Sequence, residues 1–451
     1  MVMVSKLLQP EILELVRQNN WKDLKEVFKE WLEPDIADLL NSLDEKDSVI
    51  VFRLLPKNRA SLVFSELEPG RQETIIRSIA NQELKDLVLQ LPPDDRTDIF
   101  EELPGELTQK ILNLLPLEER KEALGLLGYP EQSVGRLMTP DYVAVRQTWD
   151  IERARAHIRQ RDQQAETINI VYVVDNEWRL QGSISIRKFI LAGNTETVET
   201  LMDTKYVSIQ ANDDQELAVS HMKKYNFNIL PVVDSNGILL GIVTIDDVID
   251  VLEEEVSEDF HKAAAIVPVE ESYAMASSFL LYKKRVGWLM LLLISGFLSS
   301  NIIAHFHHSL ETVIVLSFFI PVLIGSGGNT ASQSSTLIIR ALATGDLVLA
   351  RWWDVVKKEL IIGAALGVTL GVTLFLRSYF WQGNAGVGLV IGLSMIGVVL
   401  WSNLLGSVLP ILLSRFHLDP AVISSPLLAT VVDATGLLIY FYLAKYILNL
   451  A

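Results

Sequence analysis

GSGGNTASQSST, residues 325–336, is a run of twelve consecutive small or polar side chains. It sits inside a stretch otherwise apolar enough for a bilayer, with TVIVLSFFIPVLI (312–324) before it and LII (337–339) after. Hydrocarbon offers no hydrogen-bond partner, so such a run persists only against other protein or along a wet path. Polar clusters within membrane spans mark functional sites by default. The segment therefore predicts a membrane domain of several helices and, inside it, a route for something hydrated.

Working outward, five apolar segments follow residue 285: roughly 286–306, 312–340, 360–380, 385–414 and 421–449. The second and fourth exceed the roughly 20 residues a crossing needs, and Pro321 and Pro410 are candidate breaks within them. From residue 286 on there are six acids and seven bases, so that half carries +1 and residues 1–285 carry −18 of the total −17. This acidity argues against nucleic acid and towards cations. Lys283, Lys284 and Arg285 precede the first span, Arg340, Arg351, Lys357 and Lys358 fill the second connection, and Arg415 lies in the fourth. The opposite-side connections carry few bases, so the soluble half is expected in the cytoplasm and the C-terminus outside, in a multi-pass cell (inner) membrane protein. There is no cysteine, which excludes disulfides and thiolate metal sites. The N-terminus shows no signal-peptide pattern, and no GxxxxGK[ST] motif for nucleotide hydrolysis appears, so any transport is expected to be driven by a gradient. A membrane-embedded enzyme would need a nucleophile and base inside the spans, where His is absent except at the ends, so an enzyme is not expected.

The soluble half holds two repeats. Leu55-Pro56, Leu67-Glu68-Pro69, Leu91-Pro92, Leu103-Pro104 and Leu115-Pro116 punctuate short amphipathic segments. Proline ends one helix and starts the next, so residues 1–130 read as an all-α superhelical domain. In 131–252, VGRLMTPDYVAV (134–145) is echoed by VETLMDTKYVSI (198–209), and YVVDNEWRLQGSISIRK (172–188) by PVVDSNGILLGIVTIDD (231–247). The alternation of strand-like and helix-like runs predicts two copies of a mixed α/β unit, with DNEWRLQG and DSNGILLG as hairpin turns. Residues 253–285 read as an acidic connecting (plug) helix, and 286–451 as the five-helix membrane domain.

LMTP at the head of the first copy, echoed by LMDT in the second, and VVD-x4-L-x-G at the tail of both resemble a tandem CBS pair. With the helical N-terminal domain, the acidic connector, GSGGNTASQSST and DPAVISSPLLATVVDATG (419–436), the whole chain resembles the MgtE magnesium channel/transporter family. That resemblance implies a homodimer with a pore between subunits. It also implies Mg2+ regulation by acids shared among N-domain, CBS pair and connector, and an adenosine nucleotide such as ATP at the CBS pair.

The residues themselves point the same way. Asp433, in TVVDATGLLIYF, reads as the one carboxylate well inside a span. An isolated charge at mid-bilayer costs about 2.5–3.5 kcal/mol on insertion scales, and no Lys or Arg lies at its depth, so either a cation pairs with it or burial keeps it protonated. Mg2+ takes oxygen ligands, keeps several waters and is commonly held by one or two carboxylates. By resemblance the conducting set is Asp433, Asn329, Ala429, Gly325 and Gly328, with Asn403 a further candidate lining residue. Gly327 joins the other glycines in allowing close helix approach, and Gln333 and Thr336 can bond the ion's water. His305, His307 and His308 fall in an exposed connection.

DDVIDVLEEEVSED (246–259) carries eight acids and no base. Neighbours three and four apart on a helix repel, and divalent cations would relieve that repulsion; a solvated acidic face is the plainer reading. By resemblance the regulatory metal set is Asp94, Asp98, Asp247, Asp250, Glu255, Glu258 and Asp259, while Asn226 stands where a carboxylate is expected. Thr244 and Asp247 fit the CBS nucleotide pattern. Together these readings predict a Mg2+-selective influx channel shut by cytosolic Mg2+. A cation-coupled carrier of Mg2+, Co2+ or Mn2+ is the alternative; it would need a second titratable group inside the spans.

Overall fold

The computed structural model describes residues 2–18, 20–161, 165–193, 196–269, 273, 276–343, 346–347, 351–416, 418–420 and 425–450, and the side chains of these except 2–9 and 382. The chain separates into two compact units: residues 1–255 with 271–275, and residues 256–270 with 276–451.

The first unit opens with helices α1 (Val2–Arg17), α2 (Trp21–Glu30), α3 (Glu33–Ser42), α4 (Glu45–Phe52) and α5 (Lys57–Ser65). It continues with α6 (Pro69–Ser78), α7 (Asn81–Val88), α8 (Pro93–Glu102), α9 (Gly105–Leu114) and α10 (Leu117–Leu126). Each Leu-Pro element ends one helix and opens the next: Pro69 and Pro93 are first residues, and Pro56, Pro104 and Pro116 are N-caps. One continuous apolar core runs from Ile12 to Ala123 through Leu24, Ile36, Leu40, Phe64, Ile75, Leu84 and Ile111. The turn carbonyls, which lack helical partners, are met by arginines. Arg96 Nη2 donates to Leu91 O (3.0 Å) and Arg120 Nη2 to Leu115 O (3.3 Å), so the spacing from Leu-Pro to Arg is part of the repeat.

Two α/β units follow. The first is α11 (Val134–Leu137), β1 (Ala144–Arg146), α12 (Ile151–Arg161), β2 (Ile170–Val174), β3 (Leu180–Ser185) and α13 (Ile186–Leu191). The second is α14 (Val198–Leu201), β4 (Ile209–Gln210), α15 (Gln215–Tyr225), β5 (Ile229–Val233), β6 (Leu239–Thr244) and α16 (Ile245–Ala263). Each makes a three-stranded sheet, β1-β2-β3 and β4-β5-β6, with a parallel then an antiparallel pairing. The repeated Asp fixes each hairpin turn: Asp175 Oδ1 accepts from Glu177 N and Arg179 N, and Asp234 Oδ1 from Asn236 N and Ile238 N. The repeated L-x-G glycine admits another chain segment. A Cβ on Gly182 would sit 2.6 Å from Asp203 O, and one on Gly241 2.7 Å from Thr139 O. These are the segments at which Ser183 pairs with Asp203 and Ile242 with Thr139.

The second unit contains α17 (Ser278–His305), α18 (His307–Thr312), α19 (Val315–Ala343), α20 (Trp352–Gln382), α21 (Ala385–Arg415) and α22 (Ser425–Ile447). Five of these, all but α18, are long and apolar enough to cross a membrane. The start of the fifth span, expected at 421, lies outside the described residues.

Three expectations change. Pro321 and Pro410 do not break their spans but lie inside continuous α19 and α21; membrane helices tolerate proline when neighbours satisfy the freed backbone groups. The acidic helix begins at Ile245 and ends at Ala263, and the described residues 264–269 and 276–277 lie outside it. The third span begins at Trp352, eight residues earlier than expected, which brings Glu359 inside it.

Candidate functional site

The first unit gathers acids from two regions of sequence. Asp94, Asp95 and Asp98 lie on α8, and Asp246, Asp247 and Asp250 on the first turns of α16. Asp94 is 4% exposed and its Oδ1 has no hydrogen-bond partner. Burial, then the charges of Asp247, Asp95 and Glu166, push its carboxyl up to about 9. Asp247 is pushed up to about 7 by burial against the opposing pull of Thr244, whose Oγ1 donates to its Oδ2 (2.7 Å) and whose backbone N–H does the same (3.1 Å). Asp95 is pushed up to about 6, by burial first and Glu166 second. Asp98 keeps contact with solvent but is crowded by protein; that crowding, followed by Asp247 and Glu101, raises it. Glu66 is raised by burial, Asp250 and Asp38, and Glu166 by burial, Asp246 and Asp141.

Asp94 and Asp98 thus lie within electrostatic reach of Asp247, and Glu66 within reach of Asp250. Asp95 and Asp246, from the same two acidic runs, also belong to the cluster, and Glu66, Asp141 and Glu166 extend it beyond the sequence expectation. A carboxylate after Phe64 and one in the α12–β2 connection carried no periodic signal that could have flagged them. Glu255 Oε1 accepts from Gln215 Nε2 (3.2 Å). Glu258 and Asp259 belong to the second unit, where Lys262 Nζ bridges Glu258 (2.8 Å) and Asp419 (2.7 Å). Asn226 caps α15 with a left-handed backbone (φ 54°), a conformation asparagine accepts readily. Among the described residues no three His, Cys, Asp or Glu side chains converge closely enough to form a ready-made metal cage. Thr244 and Asp247, the candidate nucleotide pair, are hydrogen-bonded to each other.

In the second unit, the small-residue run lies wholly within α19 and splits between two faces. Gly327, Gly328, Thr330, Ala331, Ser334 and Ser335 are buried against neighbouring helices. A Cβ on Gly327 would meet Val398 at 2.8 Å and Val432 at 3.0 Å, and one on Gly328 would meet Ala429 Cβ at 3.4 Å. Gly325, Asn329, Gln333 and Thr336 form the other face and are exposed in the single chain. The α22 helix thus seats Ala429 on Gly328, and Asp433 follows one turn later on the same face. Asp433 is half-buried, and its Oδ1 is buried without a hydrogen-bond partner. His307 and His308 are exposed, each 3.8 Å from a carboxylate oxygen of Glu311.

Two membrane expectations are corrected. Asp433 is not the sole carboxylate within the spanning helices, because Glu359 is 9% exposed inside α20. Asn403 does not line an open face; it is 3% exposed, and its Nδ2 donates to Glu359 Oε2 (2.8 Å) and Glu359 O (2.7 Å). The charged run Lys357-Lys358-Glu359 reads as interfacial in sequence, which hid this contact.

Comparison with known proteins matches three family models to successive parts of the chain. They are the MgtE intracellular N domain (33–132), the CBS domain (134–194 and 198–254) and the MgtE divalent cation transporter (320–443). The chain is 45% identical over 324 residues to the magnesium transporter MgtE of Thermus thermophilus, covering 72% of each protein. It is 35% identical to the magnesium transporter MgtE of Bacillus subtilis, covering 71% of this chain and 70% of that one. A solved structure of the cytosolic domain of the Mg2+ channel MgtE in complex with ATP aligns with TM-score 0.52 and 35% identity, covering 54% of this chain and all of that one.

Proposed function

Because the chain belongs to the MgtE family of divalent cation transporters, we propose that it is a Mg2+-selective influx channel, closed by cytosolic Mg2+. The observation that carries the reading is Asp433 Oδ1, buried without a donor, one turn from the Gly328–Ala429 contact. A carboxylate so placed lacks a protein partner for its charge, and a partly hydrated divalent ion supplies one. The exposed Gly325–Asn329–Gln333–Thr336 face of α19 offers oxygen and amide groups to the ion's water. In a homodimer this face and the Asp433 of two copies would line a shared path. Influx needs no pump, because a divalent ion gains about 4.6 kcal/mol per 100 mV on entering a negative cell.

Gating follows from the acids of the first unit. Bringing the acids of α8 beside those at the start of α16 sets like charges together at a cost that Mg2+ offsets, so rising cytosolic Mg2+ favours the closed, shut arrangement. By the family resemblance Glu255, and in the second unit Glu258 and Asp259, belong to the same regulatory set. The solved relative binds ATP, and an adenosine nucleotide is assigned here to the second CBS repeat at Thr244 and Asp247. The N-terminal domains face the cytoplasm and the C-terminus the outside of the cell membrane.

The cation-coupled carrier has one observation in its favour, a second buried carboxylate on a spanning helix, Glu359. Recording purified protein in planar bilayers separates the two readings. A channel gives unitary Mg2+ currents that close as Mg2+ is raised on the cytoplasmic side. Transport without unitary currents, driven instead by a proton or sodium gradient, identifies a carrier.

A further inference from the structure

Glu359 lies on α20, seven residues from the helix start, and is 9% exposed. Its carboxylate is held from two other helices: Ser334 Oγ of α19 donates to Oε2 at 3.2 Å, and Asn403 Nδ2 of α21 donates to the same oxygen at 2.8 Å. Ser334 and Asn403 are each 3% exposed. The two donors are neutral, and Lys357 and Lys358, next in sequence, are exposed. The surroundings are too tight to rearrange easily: a Cβ on Gly363 would lie 3.1 Å from Asn403 Cβ, and one on Gly406 2.4 Å from Ala331 O. Ser334 directly follows Gln333, so Glu359 stands behind the turn of α19 whose other face is the exposed Gly325–Asn329–Gln333–Thr336 stripe.

We propose that Glu359 is a specificity-determining residue for cation passage: a buried carboxylate, fixed by Ser334 and Asn403, that backs the polar face of α19 and favours divalent cations along it. The inference rests on the reading of that face as the ion path. A charge in a low-dielectric setting acts over several ångströms without touching the ion, and acts twice as strongly on a divalent ion as on a monovalent one. Because both donors meet one acceptor oxygen, a glutamine can keep both bonds while losing the charge. An aspartate keeps the charge and, one methylene shorter, loses the bonds. The two substitutions therefore separate electrostatics from packing.

The test is Mg2+ uptake by proteoliposomes carrying the full-length protein, at low and raised ionic strength, with thermal stability measured on each variant. E359Q is expected to lower Mg2+ flux about tenfold at low ionic strength, with a smaller loss of monovalent leak and a gap that narrows as salt screens the path. E359D is expected to retain flux within about threefold of wild type and to keep its salt dependence. Wild-type flux in a folded E359Q, or equal loss in E359Q and E359D, overturns the proposal. Should the glutamine variant fail to fold, E359D decides: retained, salt-dependent flux supports the charge, and its loss refutes it. D433N measured in parallel keeps the two readings apart. If D433N abolishes flux and E359Q does not, only the Glu359 inference falls; if D433N leaves flux intact, the ion path itself is misplaced.

Discussion

Both units hold a carboxylate oxygen buried without a hydrogen-bond donor, Asp94 Oδ1 in the first and Asp433 Oδ1 in the second, but their surroundings differ. Asp94 is crowded by its sequence neighbour Asp95 and by Asp247 and Glu166, which come from elements far away in sequence. Asp433 is flanked by Val432 and Ala434 and sits one turn from the small Gly328–Ala429 contact. A crowd of like charges makes packing conditional on whatever neutralises it. A solitary charge makes no packing conditional; it attracts an ion and, among small neighbours, leaves it room. The contrast matches the proposed division, with sensing in the first region and passage in the second.

The comparison breaks most sharply if the regions are separated. Deleting residues 1–260 is expected to leave Mg2+ uptake that no longer falls as internal Mg2+ rises, where the intact chain should fall tenfold or more. Inhibition that persists after deletion, measured by an entrapped Mg2+ dye, would remove the sensor from the first unit.

Next in size is the effect of single acids. D94N and D247N each relieve repulsion in the metal-free state and subtract a ligand, so uptake at low internal Mg2+ should fall and its remaining dependence on Mg2+ should flatten, on the order of tenfold. An unchanged inhibition curve for both variants would leave the cluster with no regulatory role.

Protons should imitate the metal. The carboxyls of Asp94, Asp247 and Asp95 lie above their ordinary range with the two acidic runs side by side, at about 9, 7 and 6. That arrangement is thus fully supported below about pH 4, where these acids are protonated whether together or apart, and loses support as pH rises through 6 to 9. In Mg2+-free buffer, amide protection of α8, corrected for intrinsic exchange, should fall between pH 5 and 9. Saturating Mg2+ should flatten that slope, and equal slopes with and without Mg2+ would separate the cluster from the metal.

Smaller effects test the packing that frames the passage. G406A would place a Cβ 2.4 Å from Ala331 O and should cost about 1–3 kcal/mol through backbone displacement. Y440F removes the 2.8 Å bond to Leu316 O and should cost about 1 kcal/mol. Thermal unfolding in detergent checks both, with G406A expected to show the larger drop.

What the sequence disclosed and concealed follows the same division. The helix–proline repeat, the paired VVD-x4-L-x-G hairpins and the five apolar runs are local patterns, and each became the element its period implied. The nearness of the α8 and α16 acids was readable only because acids clustered in both runs; Glu66 and Glu166 join that cluster through tertiary placement that no spacing encodes. Pro321 and Pro410 misled because proline breaks a helix in water more readily than in a packed membrane bundle. Glu359 was hidden by its neighbours. Two lysines before it mark an interface, while the side chain turns inward to Ser334 and Asn403, partners 25 and 44 residues away.

The central claim is best tested at Asp433. Mg2+ uptake into proteoliposomes should fall to the protein-free background in D433A while the variant elutes and unfolds like the wild type. Uptake at the wild-type rate in that folded variant would contradict the account.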